Sequence, residues 1–248
     1  MQPSISIQAF RERRTQQLRV DRVTKRYAHG TLALDEVSLT LTSGLTCVVG
    51  PTGAGKSTLL NVLGARERPD QGTVCLGEID AVDSPALLRT LVAHVPTDTR
   101  VPPPVPVHVA LEHFAAFRDP SDPQLRLARV EAQLRRVDLW GARTLRVGEL
   151  TPAMHWRMML AIALLGSPRL LLLDVPCHEL DDNAFLSLLD LAEEATEQRF
   201  VILATSKAHL IRDRCVQVVF ADEQPGAGFV AIEPDLTHVY QYDLAASR

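Results

Sequence analysis

The sequence predicts an α/β fold built on a mostly parallel β-sheet that helices cover on both faces. Short apolar runs of strand type alternate with stretches whose apolar residues recur every three or four positions. One strand–loop–helix unit also contains the glycine-rich loop GPTGAGKST at 50–58. A length of 248 residues is sufficient for one large domain or for two lobes.

Charge and hydropathy exclude two classes of protein. With 26 basic and 30 acidic residues, the net charge of −4 argues against a general nucleic-acid binder, which is normally basic. The basic cluster at 11–19 is interpreted as a solvated tail, with contact to a membrane surface as the alternative. No apolar stretch reaches the roughly 18 residues that cross a bilayer. We therefore expect a soluble chain that meets a membrane only through a partner.

The cysteines are widely scattered and form no CxxC pair; they are Cys47, Cys75, Cys177 and Cys215. This spacing is typical of reduced thiols in a cytosolic protein, and we expect neither a disulfide framework nor a zinc site.

The loop at 50–58 matches the phosphate-binding pattern G-x-x-x-x-G-K-[ST]. The strand-like run TCVVG precedes it and the helical stretch TLLNVLGARE follows it, which disfavours a glycine-rich turn with a chance lysine. Backbone N–H groups and the helix N-terminus would bind phosphate oxygens. We expect Lys56 to contact the β- and γ-phosphates and the Ser57 hydroxyl to bind Mg²⁺. The predicted nucleotide-binding residues in this loop are Gly50, Gly53, Gly55, Lys56, Ser57 and Thr58.

A second apolar run, LLLLD at 170–174, ends in Asp174. A carboxylate at the end of such a strand can hold Mg²⁺ through water, and a phosphate loop nearby favours this over a simple turn aspartate. An enzyme that splits ATP is expected to have a second carboxylate next to it. Here the neighbour is Val175, which cannot accept a proton.

Four further stretches extend the pattern: LRVDRVTKRYAHGTLALDEVSLTLTSG, RPDQGTVCLGEID, LLRTLVAHVP and LGSPRLLLLDVPCHELD. From Leu18 to about Ala221 the chain resembles the ATP-binding subunit of an ABC transporter. The sequences of its motifs are most similar to those of ATPases of the ABC-2 exporter type. The resemblance implies a P-loop NTPase with a RecA-like core, an antiparallel β portion and a helical subdomain. It also implies ATP and Mg²⁺ as ligands, and Tyr27 stacking on adenine. A half-buried tyrosine at a strand end is the alternative for Tyr27.

The resemblance divides the chain into a tail, two parts of a nucleotide-binding core, a helical subdomain between them, and a C-terminal extension. The predicted ranges are 1–17, 18–97, 98–165, 166–222 and 223–248. In the helical subdomain, the prolines at 101–107 exclude helix, and helices are predicted at 107–117 and 123–139. A helix near 182–197 and strands at 200–205 and 216–220 complete the core.

The chain departs from the family at four catalytic features. Val175 replaces the catalytic glutamate, Thr97 the glutamine that senses Mg²⁺ and water, and Ser206 the histidine that touches the γ-phosphate. Where the family signature LSGGQ is expected, the chain has Leu150, Thr151, Pro152, Ala153 and Met154. Four changes together indicate lost selection for hydrolysis.

Replacements for the missing groups are disfavoured. Glu179 and His209 occupy different parts of their loops, and Cys177 with His178 lacks further metal ligands. The altered signature should still form a helix start, with Thr151 as N-cap and Pro152 at the first helical position. It loses one backbone donor at Pro152 and the close approach that glycines permit.

The sequence therefore predicts an ATP-binding subunit of an export transporter that binds Mg-ATP with weak or absent hydrolysis. The implied partners are a transmembrane permease and a second ATP-binding subunit, the same or different, with no nucleic acid. The implied location is the cytoplasmic face of a membrane. An active motor with non-consensus residues is the alternative. A non-transport ABC protein would need modules that are missing, and a GTPase would need an NKxD motif where the chain has TSKAH.

Overall fold

The computed structural model describes residues 17–28, 30–98, 101–118, 122–176, 178–197, 199–211, 214–221 and 229–232. The predicted tail at 1–17 and extension at 223–248 lie almost wholly outside the described residues, and Cys177 lies outside them too. The boundaries at 97/98 and 165/166 stay predictions.

The elements alternate as the sequence predicts. The strands are β1 (Leu18–Arg26), β2 (Leu32–Leu41), β3 (Gly44–Val49), β4 (Gln71–Leu76), β5 (Ile79–Asp80), β6 (Val92–Val95), β7 (Leu170–Asp174), β8 (Phe200–Thr205), β9 (Gln217–Ala221) and β10 (Phe229–Ile232). The helices are α1 (Lys56–Leu63), α2 (Pro85–Leu91), α3 (Val107–Arg118), α4 (Pro123–Arg136), α5 (Pro152–Leu164), α6 (Asp182–Glu194) and α7 (Ala208–Ile211), with short 3-10 turns at Trp140–Ala142 and Val147–Glu149.

The central sheet has six strands in the order β10-β9-β3-β8-β7-β6. Its neighbouring strands pair in parallel except β10 with β9, which confirms the predicted mostly parallel sheet. Both faces are buried, which explains the uninterrupted apolar run of β7. Leu170 and Leu172 belong to one core and Leu171 and Leu173 to the other, because side chains alternate between the faces of a strand.

One core lies between the central sheet, α1 and a second, four-stranded sheet. This second sheet is antiparallel, with the order β2-β1-β4-β5. Leu18 on β1 pairs with Leu41 and Leu76 on its two neighbours, and all three side chains are buried. The antiparallel β portion that the resemblance implies is therefore present.

The other core lies under the helices α3 to α6. The prolines before α3 exclude helix as predicted, and α3 begins at Val107. Helix α4 begins at the N-cap Asp122, whose carboxylate accepts hydrogen bonds from two backbone N–H groups. It ends at Arg136, three residues earlier than predicted, because Asp138 has a positive φ of 55° that helix cannot continue through. Likewise α6 ends at Glu194 and not at 197. Among the described residues, none of the helices combines the length and apolar character needed to span a bilayer.

The expectation that all cysteines are reduced is wrong for two of them. Cys47 and Cys215 form a disulfide, with their Cα atoms 6.2 Å apart. Cys47 lies on β3, and Cys215 lies two residues before β9, the strand that pairs with β3. The sequence separation of 168 positions hides this proximity. Cys75 is free.

A partly buried histidine on β6 should make the stability of the fold sensitive to acid. Both ring nitrogens of His94 are buried with no hydrogen-bond partner among the described residues. Burial, with the nearby Arg66 charge, lowers the pKa of His94 to about 4 from 6.5. Between these values the unfolded chain binds a proton that the folded chain does not. The free energy of unfolding should therefore fall as pH drops from 6.5 towards 4, by at most about 3 kcal/mol.

Denaturant titrations at pH 7.5 and pH 5 measure this loss. His94→Gln should lose less stability on acidification than the wild type, because glutamine does not titrate. His113→Gln is the matched control, since His113 is exposed, and it should keep the wild-type dependence. An equal acid-induced loss in His94→Gln would assign the effect to other groups.

Candidate functional site

The loop between β3 and α1 has the backbone geometry of a phosphate-binding loop. Gly53 and Gly55 have φ values of 90° and 86°, in the left-handed region that favours glycine. Gly55 is also the N-cap of α1. A Cβ at Gly55 would lie 2.4 Å from the backbone oxygen of Ala33, so this position needs glycine for space as well as for conformation. The predicted strand–loop–helix unit is present.

Lys56, the first residue of α1, folds its side chain back over this loop. Its ammonium donates hydrogen bonds to the carbonyl oxygens of Gly50 and Pro51, at 2.7 and 2.6 Å. The charge therefore stands beside the helix N-terminus, where the backbone N–H groups of the first turn also point. This combination of a cation and oriented N–H groups suits the binding of a phosphate chain.

The loop opens into a cleft of about 470 Å³. The cleft brings together residues from distant parts of the sequence, among them every residue predicted for the chain's own site except Gly50. Its lining consists of Tyr27, Thr31, Ala33, Thr52, Gly53, Gly55, Lys56, Ser57, Thr58, Thr97, Asp174, Val175, Pro176, His178, Thr205 and Ser206. Gly50 takes part through its carbonyl oxygen, which accepts from Lys56.

The predicted magnesium ligands lie in the same cleft. Asp174 ends β7 and is 8% exposed, while Ser57 lies in the first turn of α1 and is exposed. A hydroxyl and a carboxylate are hard oxygen donors, which is the ligand type that Mg²⁺ takes in addition to water and phosphate oxygens. The residues present therefore fit a magnesium ion that completes its coordination with a bound phosphate chain.

Tyr27 stands at the outer end of the cleft, directly after β1, and is 39% exposed. Its hydroxyl is 3.1 Å from Thr58 Oγ1 and donates to Glu67 Oε2 at 2.9 Å. Burial raises the pKa of Tyr27, and the neighbouring Glu67 carboxylate raises it further, so the phenol is neutral at pH 7. Glu67 is a residue that the sequence patterns did not single out.

Comparison with known families decides the identity. The family model described as ABC transporter matches residues 34–178. The chain belongs to the ABC transporter ATP-binding family. It is 32% identical to the lipoprotein-releasing system ATP-binding protein LolD of Anaeromyxobacter dehalogenans, over 79% of this chain and 87% of that protein. It is also 32% identical to an ABC transporter ATP-binding/permease protein of Mycobacterium tuberculosis, over 75% of this chain but only 22% of that much longer protein.

Solved structures show the same cassette fold. The structure of cbiO1 from Clostridium perfringens, part of the ABC transporter complex cbiONQ, superposes with a TM-score of 0.79. The match covers 92% of this chain and 93% of that chain at 20% identity. A dimeric ATP-binding cassette in a post-hydrolysis state, bound to ADP and Pi, has a TM-score of 0.77, with 22% identity over 88% of this chain and 99% of that chain.

The cleft also contains the three residues that the sequence predicts in place of catalytic side chains. Val175 is 5% exposed, and its backbone N–H donates to the Ala204 carbonyl at 3.2 Å. The Thr97 hydroxyl donates to the Asp174 carbonyl at 3.3 Å, which ties the segment after β6 to the end of β7. Ser206 directly follows β8. All three line the cleft.

The side chains considered as replacements lie elsewhere. Glu179 lines a separate small cavity beside Thr97 and Trp156, and His209 is 3.8 Å from Asp182 on α6; neither is among the described residues that line the cleft. His178 does line the cleft, although its side chain is largely exposed. The sequence predicts only a loop residue there, because Cys177 and His178 lack further metal ligands. The signal that could have predicted His178 in the cleft is its position, four residues after Asp174.

The altered signature forms the predicted helix start. Thr151 is the N-cap of α5, its hydroxyl accepts from the Met154 N–H at 3.2 Å, and Pro152 is the first helical residue. Leu150, Ala153 and Met154 pack partly buried against the core. None of residues 150–154 lines the cleft of its own chain within the described part of the structure.

Gly53→Ala and Gly55→Ala form a matched pair for the loop. Both place an alanine at positive φ, which costs about 1–2 kcal/mol. Only Gly55→Ala adds a clash, because a Cβ at Gly53 would meet nothing within 4 Å. Gly55→Ala should therefore destabilise the protein more, as measured by denaturant titration. Equal losses in the two variants would contradict the close approach of Ala33 to the loop.

Proposed function

We propose that this ABC cassette is the ATP-binding subunit of a membrane exporter, which binds Mg-ATP and hydrolyses it weakly or not at all. The observation that carries the proposal is the composition of one cleft. It contains the phosphate loop, Lys56 and Asp174, but Val175 stands directly after that aspartate. The groups for binding are present, and the group that would accept a proton from water is replaced by an apolar side chain.

Mg-ATP would bind to the groups that line the cleft. The Lys56 ammonium would exchange the Gly50 and Pro51 carbonyls for phosphate oxygens, and the N–H groups of the loop and α1 would contact the same phosphate chain. Ser57 and Asp174 would hold Mg²⁺, which when bound neutralises phosphate charge. The ring of Tyr27 would pack against the base.

Slow hydrolysis follows from three side chains. Val175 has no proton acceptor, Thr97 is engaged with the backbone of Asp174, and Ser206 is shorter than a histidine. Loss of a general base reduces rates by about 10²–10⁴, and loss of a group that stabilises transition-state charge by about 10²–10³, although the two effects do not add simply.

ATP would then act as a ligand that holds two ATP-binding subunits together and shifts their conformational equilibrium. We propose a second ATP-binding subunit, identical or different, and a transmembrane permease as partners at the cytoplasmic face of a membrane, with no nucleic acid. The names of similar proteins support a transport role, and one structural neighbour is a dimeric cassette. The helix start at Thr151 lies outside its own cleft, as expected for a signature that serves the facing subunit. The similarity of its motif sequences to those of ABC-2 exporters supports export as the direction of transport.

One observation favours the alternative, an active motor. Of the described residues that line the cleft, Asp174 carries a carboxylate and His178 an imidazole, the side-chain types that commonly act as general bases. A motor would have to use His178 in place of the missing glutamate. If the wild type turns over ATP quickly and His178→Ala abolishes that activity, the motor interpretation is correct.

Lys56→Ala should weaken Mg-ATP binding by at least about 30-fold, because a charge-assisted contact to the phosphates is lost. Equilibrium titration with a fluorescent ATP analogue measures this. Arg129→Ala removes the same charge from an exposed position on α4 and should bind like the wild type. Unchanged affinity in Lys56→Ala would refute the phosphate-loop assignment.

The purified chain should turn over ATP at least about 100-fold more slowly than the roughly 10 per second of an ordinary enzyme. Val175→Glu alone should recover little activity. Val175→Glu combined with Thr97→Gln and Ser206→His should recover more when a facing subunit supplies an intact signature. In a homodimer, Pro152→Gly and Ala153→Gly would be needed as well.

The rate of steady-state phosphate release is measured for the wild type and for each set of variants, with and without a co-purified partner. Fast turnover by the unmodified chain would reject the proposed loss of hydrolysis. If the two glycine changes stimulate the isolated chain but not the mixed pair, the signature does not serve the facing subunit.

A further inference from the structure

The hydroxyl of Tyr27 belongs to a hydrogen-bonded group of four side chains, whose other members are Thr58, Glu67 and Asn61. Glu67 accepts from the Tyr27 hydroxyl through Oε2 at 2.9 Å, and from Asn61 Nδ2 through Oε1 at 2.7 Å. The backbone N–H of Glu67 also donates to the Asn61 carbonyl at 3.2 Å. Asn61 lies in the last turns of α1, so the carboxylate is fixed from two sides to the helix that begins at the phosphate loop.

The number of available protons determines the direction of these bonds. An ionised carboxylate only accepts, so the single hydroxyl proton of Tyr27 is donated to Glu67. The contact of 3.1 Å between the Tyr27 and Thr58 hydroxyls must then use the proton of Thr58. Tyr27 therefore donates to one residue and accepts from another, and the two bonds together determine where the hydroxyl end of the ring lies.

Among the described residues, the ring itself has only weak further contacts. Tyr27 follows β1 in a turn closed by the bond from the Gly30 N–H to the Tyr27 carbonyl, and its side chain is 39% exposed. The Lys25 ammonium is 5.9 Å from the ring centroid. An exposed aromatic side chain without a tether would sample other rotamers, and a ligand that needs one orientation would have to immobilise it.

We propose that Glu67 is a positioning residue for the nucleotide base. Its carboxylate holds the Tyr27 ring in place before ligand arrives, so that the base meets a preformed surface at the outer end of the cleft. Glu67 acts through Tyr27 and not through the phosphates. This inference rests on the proposed ATP-binding function and adds to it a residue outside the phosphate loop.

The test is a double-mutant cycle on ATP affinity with Glu67→Ala and Tyr27→Phe. Phenylalanine keeps the ring and removes the hydroxyl that Glu67 holds. Each single variant should bind Mg-ATP about 3- to 10-fold more weakly, the size expected for immobilising one side chain. The double variant should bind no more weakly than the weaker single variant, because both changes remove the same constraint. Glu67→Gln keeps an acceptor for Tyr27 and should lose less affinity than Glu67→Ala.

Inorganic triphosphate, titrated in competition with the fluorescent analogue, separates the base from the phosphates. Its affinity should be the same within about 2-fold in the wild type and in Glu67→Ala. Glu78→Ala removes one carboxylate from an exposed turn and should leave ATP affinity unchanged.

Two outcomes overturn the proposal while the proposed function stands. In the first, Glu67→Ala binds ATP like the wild type although Lys56→Ala binds it at least about 30-fold more weakly. In the second, Glu67→Ala lowers the affinity for ATP by the same factor in the wild-type background and in the Tyr27→Phe background. In the second case Glu67 acts independently of the tyrosine hydroxyl. Failure of the wild type to bind ATP at all would instead overturn the proposed function, and this inference with it.

Discussion

The parallel pairing of β3, β8, β7 and β6 is the constraint on which the site depends. Parallel strands end at the same edge of a sheet, and the register pairs Val49 with Thr205 and Asp174 with Ala204. The residues that follow these strand ends are therefore delivered to one place, although they are far apart in the sequence. Four segments meet there: the phosphate loop, the segment around Thr97, the pair Asp174–Val175, and Ser206.

The two functions of such a site depend on different parts of the molecule. In the proposed site, phosphate binding would use backbone N–H groups, two glycines at positive φ and a lysine, all positioned by the turn from β3 into α1. Hydrolysis depends on individual side chains at strand ends. Val175 is buried in the core and keeps its backbone bond to Ala204, so a valine there is compatible with the cassette fold. A chain can lose the second function while it keeps the first.

Much of this molecule was predictable from local patterns, and the exceptions share one cause. The phosphate loop, the apolar strand of Asp174 and the capped start of α5 each lie within a few residues, so spacing alone reveals them. The disulfide between Cys47 and Cys215 joins neighbouring strands that are 168 residues apart, and the contact of Glu67 with Tyr27 spans 40 residues. No local pattern marks such pairs. The early end of α4 depends on the positive φ of Asp138, which residue type does not require.

The sequence by itself determined the fold class, the glycine-rich loop before α1, the carboxylate of Asp174 and the residues that are predicted to replace catalytic side chains. These follow from residue type and short spacing, because helices, strands and phosphate loops are made by neighbours along the chain. Tertiary structure alone decided which of the distant residues share the cleft: His178 lines it, while Glu179 and His209 do not. It also decided that Glu67 holds Tyr27. These relations depend on how strand ends and loops are brought together across the sheet, and that geometry is set by packing of the whole domain.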